Sequence, residues 1–279
     1  MLRDVEARVI RNIRLSPDYN VIALAAPDIA SATLPGQFVM VKSGRGGDPL
    51  LRRPFSVFEV LRSEPASPKP SAEAGRVEGL TLLSKRIGVT TSMLFDAVEG
   101  DTIACLGPLG RPFEPVDPPA EAWMVAGGVG LAPFATLAES LRARGVKTVL
   151  FYGARRGAEL FYLDFFRERE VELVLTTEDG SLGEHGRVIA PLERRLASRA
   201  AGASVMVYAC GPEGMLAATA RIAMKYSRPC QVSVERVMGC GLGGCYSCVV
   251  PLRGEDGEYH HVRSCLAGPV LSADQIKWD

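Results

Sequence analysis

The chain has 279 residues, 47% of them hydrophobic and 23% charged, which is ordinary for a soluble globular protein of two or three domains. Its 32 Lys and Arg residues equal its 32 Asp and Glu residues, so no net field would attract nucleic acid or an anionic membrane. The seven cysteines are an odd number, and the first residues contain no apolar run of signal-peptide length. We therefore expect a cytoplasmic protein rather than a secreted disulfide scaffold.

The first third of the chain predicts a small antiparallel barrel. Short segments of alternating or β-branched residues are separated by Gly, Pro and Asp, a pattern typical of strands joined by turns. The six predicted strands cover residues 5–15, 19–26, 36–42, 55–61, 78–85 and 101–108. Six such strands are typical of a small closed barrel. Between Arg62 and Gly79 the chain is rich in Pro, Ser and Ala, and we expect a long mobile hairpin loop there.

A proline-dense stretch near residue 116 ends this pattern, and predicted strands then alternate with helices. The strands are predicted over 123–128, 148–154, 171–179 and 204–212, and the helices over 133–144, 159–170, 188–198 and 213–226. This alternation indicates a parallel sheet with helices on both faces. The uncharged stretch 122–138 approaches the roughly 20 residues of a membrane span. Its three glycines and one proline favour a buried strand, a tight turn and a helix start instead.

Four cysteines near the C-terminus are the strongest chemical motif in the sequence. They are Cys240, Cys245, Cys248 and Cys265, spaced C-x4-C-x2-C with the fourth cysteine after sixteen intervening residues. This is the plant-type spacing of [2Fe–2S] ligands. The loop 239–244 contains four glycines, which permit the tight backbone curl that converging thiolates require. A zinc site and unligated thiols are the alternatives, although zinc sites more often have two separated C-x2-C pairs.

The other cysteines and the histidines do not extend this motif. Cys105 and Cys230 lie in apolar, strand-like segments and are expected to be small buried residues. Cys210 differs because Gly-Pro follows it at the carboxyl end of a predicted parallel strand, where open α/β sheets bind ligands. The three histidines show no ligand spacing, and no paired carboxylates or Ser/His/Asp set indicates acid–base chemistry.

Three further segments are weak indications of nucleotide binding when each is taken alone. "AGGVGLAP", residues 126–133, follows a strand and opens a helix, where glycines and a helix N-terminus suit a pyrophosphate. "RRPFS" places Arg53 and Ser56 at a strand start, where they suit a phosphate and a polar ring edge. Thr90 and Thr91 begin a helix as a second phosphate turn or, equally, as ordinary N-cap residues.

Along the chain the order is "RRPFS", then "LSK" followed by the two threonines, then "GGVGLAP", then "ACGPEGM", and last the four cysteines. Segments in this order resemble those of the ferredoxin reductase-like flavoproteins. More narrowly, the chain resembles the electron-transfer subunits of NAD-dependent (class 1B) dihydroorotate dehydrogenases. "DPLLRRPFSV", "TTEDGSLGEHGRV" and "VSVERVMGCGLGGCYSC" carry the narrower resemblance, which spans nearly the whole chain. It implies an FAD-binding barrel over 1–115, an NAD-binding α/β domain over 116–228 and a small [2Fe–2S] domain over 229–279.

The resemblance also implies which residues contact each group. The FAD-binding positions are Arg53, Pro54, Phe55, Ser56, Leu83, Ser84, Lys85, Thr90 and Thr91. The NAD-binding positions are Gly127, Gly128, Gly130, Cys210, Gly211 and Pro212, with Cys210 approaching flavin and nicotinamide rather than a metal. The cluster ligands are the four cysteines named above. NAD rather than NADP is implied, and the sequence shows no evident basic cluster for a 2′-phosphate.

The function implied is an electron relay in pyrimidine (UMP) biosynthesis. A hydride carries two electrons and a cluster accepts one, so a flavin must lie between NAD and iron. Dihydroorotate oxidation is then expected on a separate FMN-containing catalytic subunit, in a complex with two copies of each chain. The absence of an acid–base set suits a relay chain, for which we predict no catalytic side chain.

Two other functions are alternatives to this relay, and the chain departs from the family pattern at two places. The chain could instead serve another complex, of the ferredoxin:NADP oxidoreductase or sulfhydrogenase type, or be a non-catalytic redox-sensing module. In the first of these families an aspartate replaces the first cluster cysteine, whereas this chain has Cys240. The family usually has Gly-Thr where this chain has Thr90-Thr91, and the insertion from Arg62 to Gly79 is not expected.

Overall fold

The computed structural model describes residues 1–43, 49–63, 75–200 and 203–278. The elements of the N-terminal part are β1 (Arg3–Arg14), β2 (Tyr19–Ala25), α1 (Pro27–Ala32), β3 (Phe38–Ser43), β4 (Arg53–Ser56), β5 (Val60–Arg62), β6 (Val77–Lys85), α2 (Val89–Asp96) and β7 (Thr102–Leu109). Their strands form one antiparallel sheet in the order β4-β3-β7-β1-β2-β6-β5.

The sheet closes because β4 and β5 are two parts of one bent segment. β4 pairs with β3 at one edge and β5 pairs with β6 at the other. Between them the N–H of Val57 donates to the carbonyl of Gln37 at 3.1 Å, and the N–H of Phe58 donates to the carbonyl of Thr81 at 2.9 Å. The six-stranded antiparallel barrel predicted from the sequence is thereby confirmed. Of the predicted hairpin loop, residues 64–74 lie outside the described residues.

Strand β3 is apolar along most of its length because both of its faces are buried. Val39 and Val41 are fully buried inside the barrel. Phe38 and Met40 point to the outside of the barrel, since successive side chains of a strand alternate between faces. There they are covered by the C-terminal part of the chain, in a cluster that includes Met238. The same strand therefore fills the barrel core and supports the cysteine loop.

The second part of the chain is an α/β sandwich. Its elements are β8 (Glu121–Gly127), α3 (Ala132–Ala143), β9 (Thr148–Ala154), α4 (Leu163–Arg167), β10 (Glu172–Thr177), β11 (Glu184–His185), α5 (Ile189–Ala197), β12 (Val205–Cys210) and α6 (Glu213–Lys225). The last elements are β13 (Cys230–Ser233), β14 (Val249–Arg253), β15 (Tyr259–Arg263), α7 (Ser264–Ala267) and β16 (Val270–Ser272). A central sheet has the order β11-β10-β9-β8-β12-β13-β16, and β14 pairs with β15 as a hairpin.

The sheet is parallel except at one edge, and apolar cores cover both of its faces. Among its described strands only β16 runs antiparallel, against β13. Phe134 of α3 and Tyr152 of β9 are buried in one core, while Trp123 of β8 and Leu216 of α6 are buried in the other. Buried strands with helices on both sides explain why β8, β9 and β12 are nearly continuous apolar runs. The predicted parallel sheet is confirmed.

One predicted helix is shorter than expected. The sequence predicts a helix over 159–170, but α4 covers only Leu163–Arg167, and a 3-10 turn covers Gly157–Glu159. Tyr162, between the two, has a φ of +59°, in the left-handed region that interrupts a right-handed helix. Its ring packs edge-on against Phe58 of the barrel at 4.7 Å, so a contact between the two parts of the chain accompanies the interruption.

The C-terminal segment contributes to the central sheet as well as to the cysteine loop. β13 and β16 pair side by side at the sheet edge, so the sheet continues across the predicted boundary between residues 228 and 229. The three domain ranges stay predictions.

Within the described ranges, no helix is long and apolar enough to cross a membrane. The stretch 122–138 consists of β8, a 3-10 turn over Gly128–Leu131 and the start of α3, as predicted.

A buried amide network holds α2 against the barrel. The side-chain nitrogen of Asn12 in β1 donates to the carbonyls of Leu94, Phe95 and Ala97 at 2.9, 3.0 and 2.9 Å. Its oxygen accepts a hydrogen bond of 2.7 Å from Asn20 in β2. These carbonyls end α2 and have no partner within the helix, because the last four carbonyls of a helix never do. Asn12 therefore anchors the helix whose first turn contains Thr90 and Thr91.

Replacing Asn12 with Ala should lower the free energy of unfolding by about 1–3 kcal/mol, because partly buried carbonyls lose their donor. The midpoint of urea denaturation measures this effect. Ser31→Ala is the control, since that hydroxyl is exposed and makes only a weak local contact of 3.3 Å; it should change stability by less than about 0.5 kcal/mol. Equal midpoints for Asn12→Ala and Ser31→Ala would contradict an anchoring role for Asn12.

Candidate nucleotide cleft and cysteine centre

A cleft of about 500 Å³ opens at the carboxyl ends of the parallel strands. The turn after β8 lines it with Gly127 and Gly128, and the turn after β12 lines it with Pro212. Tyr19 and Lys85 line it from the barrel, with the Lys85 amine 4.9 Å from the Tyr19 ring. Ligands in open α/β sheets bind at this edge. The structure thus brings together two predicted NAD-binding glycines, Pro212 and the predicted FAD-binding Lys85.

The turn after β8 passes so close to β12 that one of its residues must be glycine. A Cβ atom built on Gly130 would lie 2.2 Å from the carbonyl oxygen of Cys210. Real Cβ atoms do not approach a carbonyl oxygen so closely, and any side chain at residue 130 would separate the two turns. The close approach places the start of α3 beside Gly211, at the bottom of the cleft. Backbone N–H groups at such a helix start suit a pyrophosphate.

Charged residues that the sequence analysis did not assign also line the cleft. Arg155 follows β9 directly, Glu178 follows β10 directly, and Arg187 lies shortly after β11. Neither arginine side chain makes an ion pair with another described residue. Their positions just beyond strand ends are a signal that would have identified them, because strand ends of a parallel sheet meet at one edge. The cleft offers both cationic and anionic groups to a dinucleotide.

Glu235 is a further acidic residue of the cleft. It follows β13 by two residues and lines the cleft together with Met215. Burial in the cleft raises the pKa of its carboxyl group. The sequence motif "VSVERV" contained no sign of this placement, which depends on β13 lying beside β12 in the sheet.

Cys210 is buried at the end of β12, with 3% of its surface exposed. Burial raises the pKa of its thiol, and a hydrogen bond with the Ser233 side chain on the adjacent strand acts in the opposite direction. Cys105 and Cys230 are also buried, and burial raises the pKa of each thiol to about 12. None of these three thiols belongs to the cysteine loop, as the sequence predicted.

The predicted FAD-binding residues lie on three neighbouring elements of the barrel. Arg53, Pro54, Phe55 and Ser56 form β4, and Leu83, Ser84 and Lys85 end β6. The Ser84 hydroxyl is buried and has no hydrogen-bond partner among the described residues. Arg53 is exposed and donates to the carbonyls of Leu51 and Arg52 at 3.3 and 3.1 Å. The third element is α2, whose first turn contains Thr90 and Thr91.

Thr91 acts as a capping residue of its own helix. Its hydroxyl oxygen accepts hydrogen bonds from the N–H groups of Ile87 and Gly88, both at 2.9 Å. Thr90 is buried, with 5% of its surface exposed. A separate groove of about 830 Å³ runs along α2 and is lined by Val89 and Ser92. Gly88 is the N-cap residue, and Thr91 caps the helix from its third position rather than as the N-cap expected from the sequence. A contact of Thr91 with a phosphate stays a prediction.

The four cysteines of the C-terminal motif come together as two pairs. On the outer side of the loop, the Cys240 side chain is among the groups that lower the pKa of the exposed Cys245 thiol. On the inner side, Cys248 and Cys265 are each only 2% exposed, and Cys248 is among the groups that raise the pKa of the Cys265 thiol. In the described part of the chain, no three Cys, His, Asp or Glu side chains surround the position of a single metal ion. Two thiol pairs suit a two-iron cluster, because each iron takes two thiolates.

The two pairs differ in electrostatic environment. Hydrogen bonds with Ser247, and then with Cys240, lower the pKa of the Cys245 thiol to about 6. Burial, and then the adjacent Cys248, raise the pKa of the Cys265 thiol to about 11. The outer pair is therefore polar and close to solvent, and the inner pair is enclosed by apolar side chains. Those side chains are Phe38, Met40, Leu106, Leu109 and Met238.

The glycines of the loop allow it to lie directly on the barrel. Gly241 has a φ of +72°, and a Cβ atom there would lie 2.6 Å from Cγ of Met40. Arg263 fixes the other side of the loop by donating to the carbonyl of Gly243 at 2.7 Å. The loop is thereby held between β3 of the barrel and the end of β15.

Comparisons with known proteins agree with this geometry. Residues 235–277 match the family described as the iron–sulfur cluster binding domain of dihydroorotate dehydrogenase B, and residues 124–221 match the oxidoreductase NAD-binding domain. The electron transfer subunit of dihydroorotate dehydrogenase B (NAD(+)) from Desulforamulus reducens is 33% identical over 100% of both chains. The subunit of the same name from Geobacillus kaustophilus is 36% identical over 87% of this chain and 86% of its own length.

Solved structures extend the comparison. The structure of an NADH-dependent reduced ferredoxin-NADP oxidoreductase, described for flavin-based electron bifurcation, is 26% identical. It has a TM-score of 0.80 and covers 99% of this chain and 91% of its own. A ferredoxin NADP+ reductase from Neisseria gonorrhoeae is 20% identical with a TM-score of 0.62, over 80% of this chain and 91% of its own, and shows the shared fold alone.

The barrel, the parallel sheet and the C-terminal cysteine loop follow one another along a chain that matches these relatives from end to end. Identity above 30% extends over the full length of one relative and most of another. The chain belongs to the family of electron transfer subunits of dihydroorotate dehydrogenase B.

Proposed function

We propose that this chain passes electrons between NAD and a separate dihydroorotate dehydrogenase catalytic subunit, through FAD and a [2Fe–2S] cluster, in pyrimidine biosynthesis in the cytoplasm. The observation that carries the proposal is the pairing of four thiols on the outer wall of a barrel that also lines the nucleotide cleft. Tyr19 and Lys85 reach the cleft from β2 and β6, and Met40 on β3 supports the cysteine loop. One small barrel thus lies between the two ends of the route.

The donor set fits a [2Fe–2S] cluster better than it fits zinc. The four proposed ligands are Cys240, Cys245, Cys248 and Cys265. A zinc site needs four ligands around one point. Here Cys248 and Cys265 are buried while Cys245 is exposed, and among the described residues no three ligand side chains surround one metal position. A backbone N–H group also points at sulfur, since that of Leu242 donates to Sγ of Cys240 at 3.3 Å. Such donors stabilise thiolates, the form that binds iron.

The two predicted nucleotide sites keep their residues under this proposal. For NAD they are Gly127, Gly128, Gly130, Cys210, Gly211 and Pro212, in the α/β domain over 116–228. For FAD they are Arg53, Pro54, Phe55, Ser56, Leu83, Ser84, Lys85, Thr90 and Thr91, in the barrel over 1–115. When bound, FAD would exchange a hydride with NAD and the cluster would carry the electrons singly. The chain's own residues bind and orient these groups and keep water from them.

The side of the molecule around Cys245 suits a partner protein. Five large apolar side chains are exposed in the segment 237–266, which contains the cysteine loop. They are Val237 at 81%, Leu242 at 51%, Tyr246 at 63%, Tyr259 at 42% and Leu266 at 47%. Exposed apolar residues grouped in this way mark protein interaction sites. We assign the catalytic subunit to this surface, in a complex with two copies of each chain, because an exposed cluster ligand lies within it.

One alternative function has structural support. The TM-score of 0.80 to the NADH-dependent reduced ferredoxin-NADP oxidoreductase is consistent with a subunit of that type of complex. Both functions need the same cofactors, so the identity of the partner distinguishes them. Cys240 at the first ligand position favours the dihydroorotate dehydrogenase.

The proposed function is tested by co-expressing the chain with a dihydroorotate dehydrogenase catalytic subunit and purifying the complex without oxygen. We expect FAD, two irons and two acid-labile sulfides for each copy of this chain, and reduction of NAD by dihydroorotate only when both chains are present. The chain alone should reduce a dye with NADH. A pure protein without iron or flavin, or a partner that does not oxidise dihydroorotate, would contradict the proposal.

Substituting one proposed ligand should remove the cluster without removing the flavin. Cys245→Ser replaces a thiolate of the outer pair with a weaker iron ligand, and the iron content of the purified protein should fall by most of its value. Cys230→Ser is the matched control, because that thiol is buried in β13 outside the loop. Iron analysis and the visible spectrum measure both effects. Iron retained in full by Cys245→Ser would exclude that residue as a ligand.

The support of the loop by the barrel is tested at Gly241. Gly241→Ala adds a Cβ atom 2.6 Å from Met40, at a φ of +72° that alanine disfavours, so the loop must move away from β3. We expect lower iron content and a lower melting temperature. Gly244→Ala is the control, since no atom lies within 4 Å of the position that its Cβ would take and its φ is not in the left-handed region. Equal iron content in the two variants would show that the loop does not depend on this contact.

A further inference from the structure

A serine lies next to the inner thiol pair in the chain, and its hydroxyl has no hydrogen-bond partner among the described residues. Ser264 immediately precedes Cys265, is 0% exposed, and its Oγ atom is buried without a partner among the described residues. Buried hydroxyls are nearly always hydrogen-bonded, and one without a partner in the protein indicates a partner that the protein alone does not supply. Neither the sequence motif nor the family comparison assigns a role to this residue.

The backbone fixes Ser264 between the two inner ligands. Its N–H donates to the carbonyl of Cys248 at 2.9 Å. Val249 and Arg263 are the last opposite residues of the β14–β15 hairpin, so Cys248 and Ser264 continue the pairing by one residue on each strand. Its carbonyl accepts from the N–H of Gly268 at 3.0 Å. Both backbone groups are therefore satisfied, and only the hydroxyl is left to interact with something else. The residue is thus held next to both inner cysteines, hydrogen-bonded through its backbone to Cys248 and adjacent to Cys265 in the chain.

Apolar side chains pack around the inner pair. The hydrophobic cluster that contains Cys248 and Cys265 is otherwise made of Phe, Met and Leu. Thiolate and sulfide sulfurs are acceptors, and a hydrogen bond to a charged acceptor is stronger than one between neutral groups. In an apolar environment such a bond is strengthened further.

The outer pair has a comparable hydroxyl. Oγ of Ser247 lies 3.1 Å from Sγ of Cys245 and accepts a hydrogen bond of 2.9 Å from the N–H of Gly239. With its acceptor role filled by that N–H, the Ser247 hydroxyl is free to donate to the Cys245 sulfur. Each thiol pair thus has one serine, and of these two only the inner serine lacks a partner among the described residues.

We propose that the Ser264 hydroxyl donates a hydrogen bond to a sulfur of the bound cluster on the Cys248–Cys265 side and thereby raises its reduction potential. The reduced cluster carries one more negative charge than the oxidised cluster, so a donor stabilises the reduced form more. Ser264 is a positioning and tuning residue in this inference, which rests on the proposed cluster site. No bond is made or broken by it.

The experiment is a reduction titration of the anaerobically purified holoprotein, followed by the EPR signal of the reduced cluster. Ser264→Ala should shift the midpoint potential to a more negative value at unchanged FAD content. Thr219→Val is the matched control, because Thr219 of α6 is also 0% exposed with a hydroxyl that has no partner among the described residues. It lies in the α/β domain, and its removal should leave the cluster potential unchanged.

A second measurement separates tuning from a merely structural role. In apoprotein freed of iron, neither Ser264→Ala nor Thr219→Val should lower the melting temperature, since each removes a hydroxyl that the protein does not satisfy. If Ser264→Ala fails to retain the cluster, Ser264→Thr should retain it at the wild-type potential, because the donor is kept. A potential shifted equally in Ser264→Thr and Ser264→Ala would overturn the inference.

The remaining outcomes distinguish this inference from the proposed function. An unshifted potential in Ser264→Ala, or a destabilised Ser264→Ala apoprotein, overturns the role of the hydroxyl and leaves the proposed function in place. Absence of iron from the wild-type protein overturns the proposed function itself.

Discussion

The packing of the cysteine loop on the outer face of β3 is the contact on which the rest of the arrangement depends. Gly241 lies against Met40 so closely that a single added methyl group would overlap it. Met40 and Phe38 are exposed on the barrel surface unless the loop covers them, and their burial favours the docked loop. The same packing encloses Cys248 and Cys265 in apolar surroundings and leaves Cys245 facing solvent. One hydrophobic contact thus gives the cysteine centre a closed side and an open side.

A cysteine centre with one closed side and one open side suits a chain that relays electrons. Electrons must pass between the centre and the interior of the molecule on one side, and between the centre and another protein on the other side. The closed side faces the barrel, whose elements β2 and β6 line the nucleotide cleft through Tyr19 and Lys85. The open side carries an exposed ligand among exposed apolar side chains. No acid–base residue is required for this task, although the cleft contains one carboxyl group with a raised pKa, that of Glu235.

Much of this organisation follows from local sequence patterns. Six strand-like segments, four strand–helix alternations and the C-x4-C-x2-C spacing all have counterparts in the structure, because alternation and turn residues act over a few positions. The helix predicted over 159–170 is mostly absent because Tyr162 takes a left-handed conformation where its ring meets Phe58. That contact joins residues about a hundred positions apart, and no local pattern indicates it. The cleft residues Arg155 and Glu178 directly follow the parallel strands β9 and β10, and Arg187 lies shortly after β11, so the strand-end rule applied to Cys210 would have identified them as well.

The sequence by itself determined the order of barrel, parallel sheet and cysteine loop, and the identity of the four thiols, because each depends on spacing within a short segment. Only the tertiary structure decided that the thiols form an outer and an inner pair, that Lys85 meets the glycine turn after β8, and that β16 returns to the central sheet. It also decided that Ser264 is buried without a partner among the described residues. Each of these outcomes depends on contacts between segments that are far apart in the sequence. The hydrophobic packing of the whole chain decides which of these segments meet.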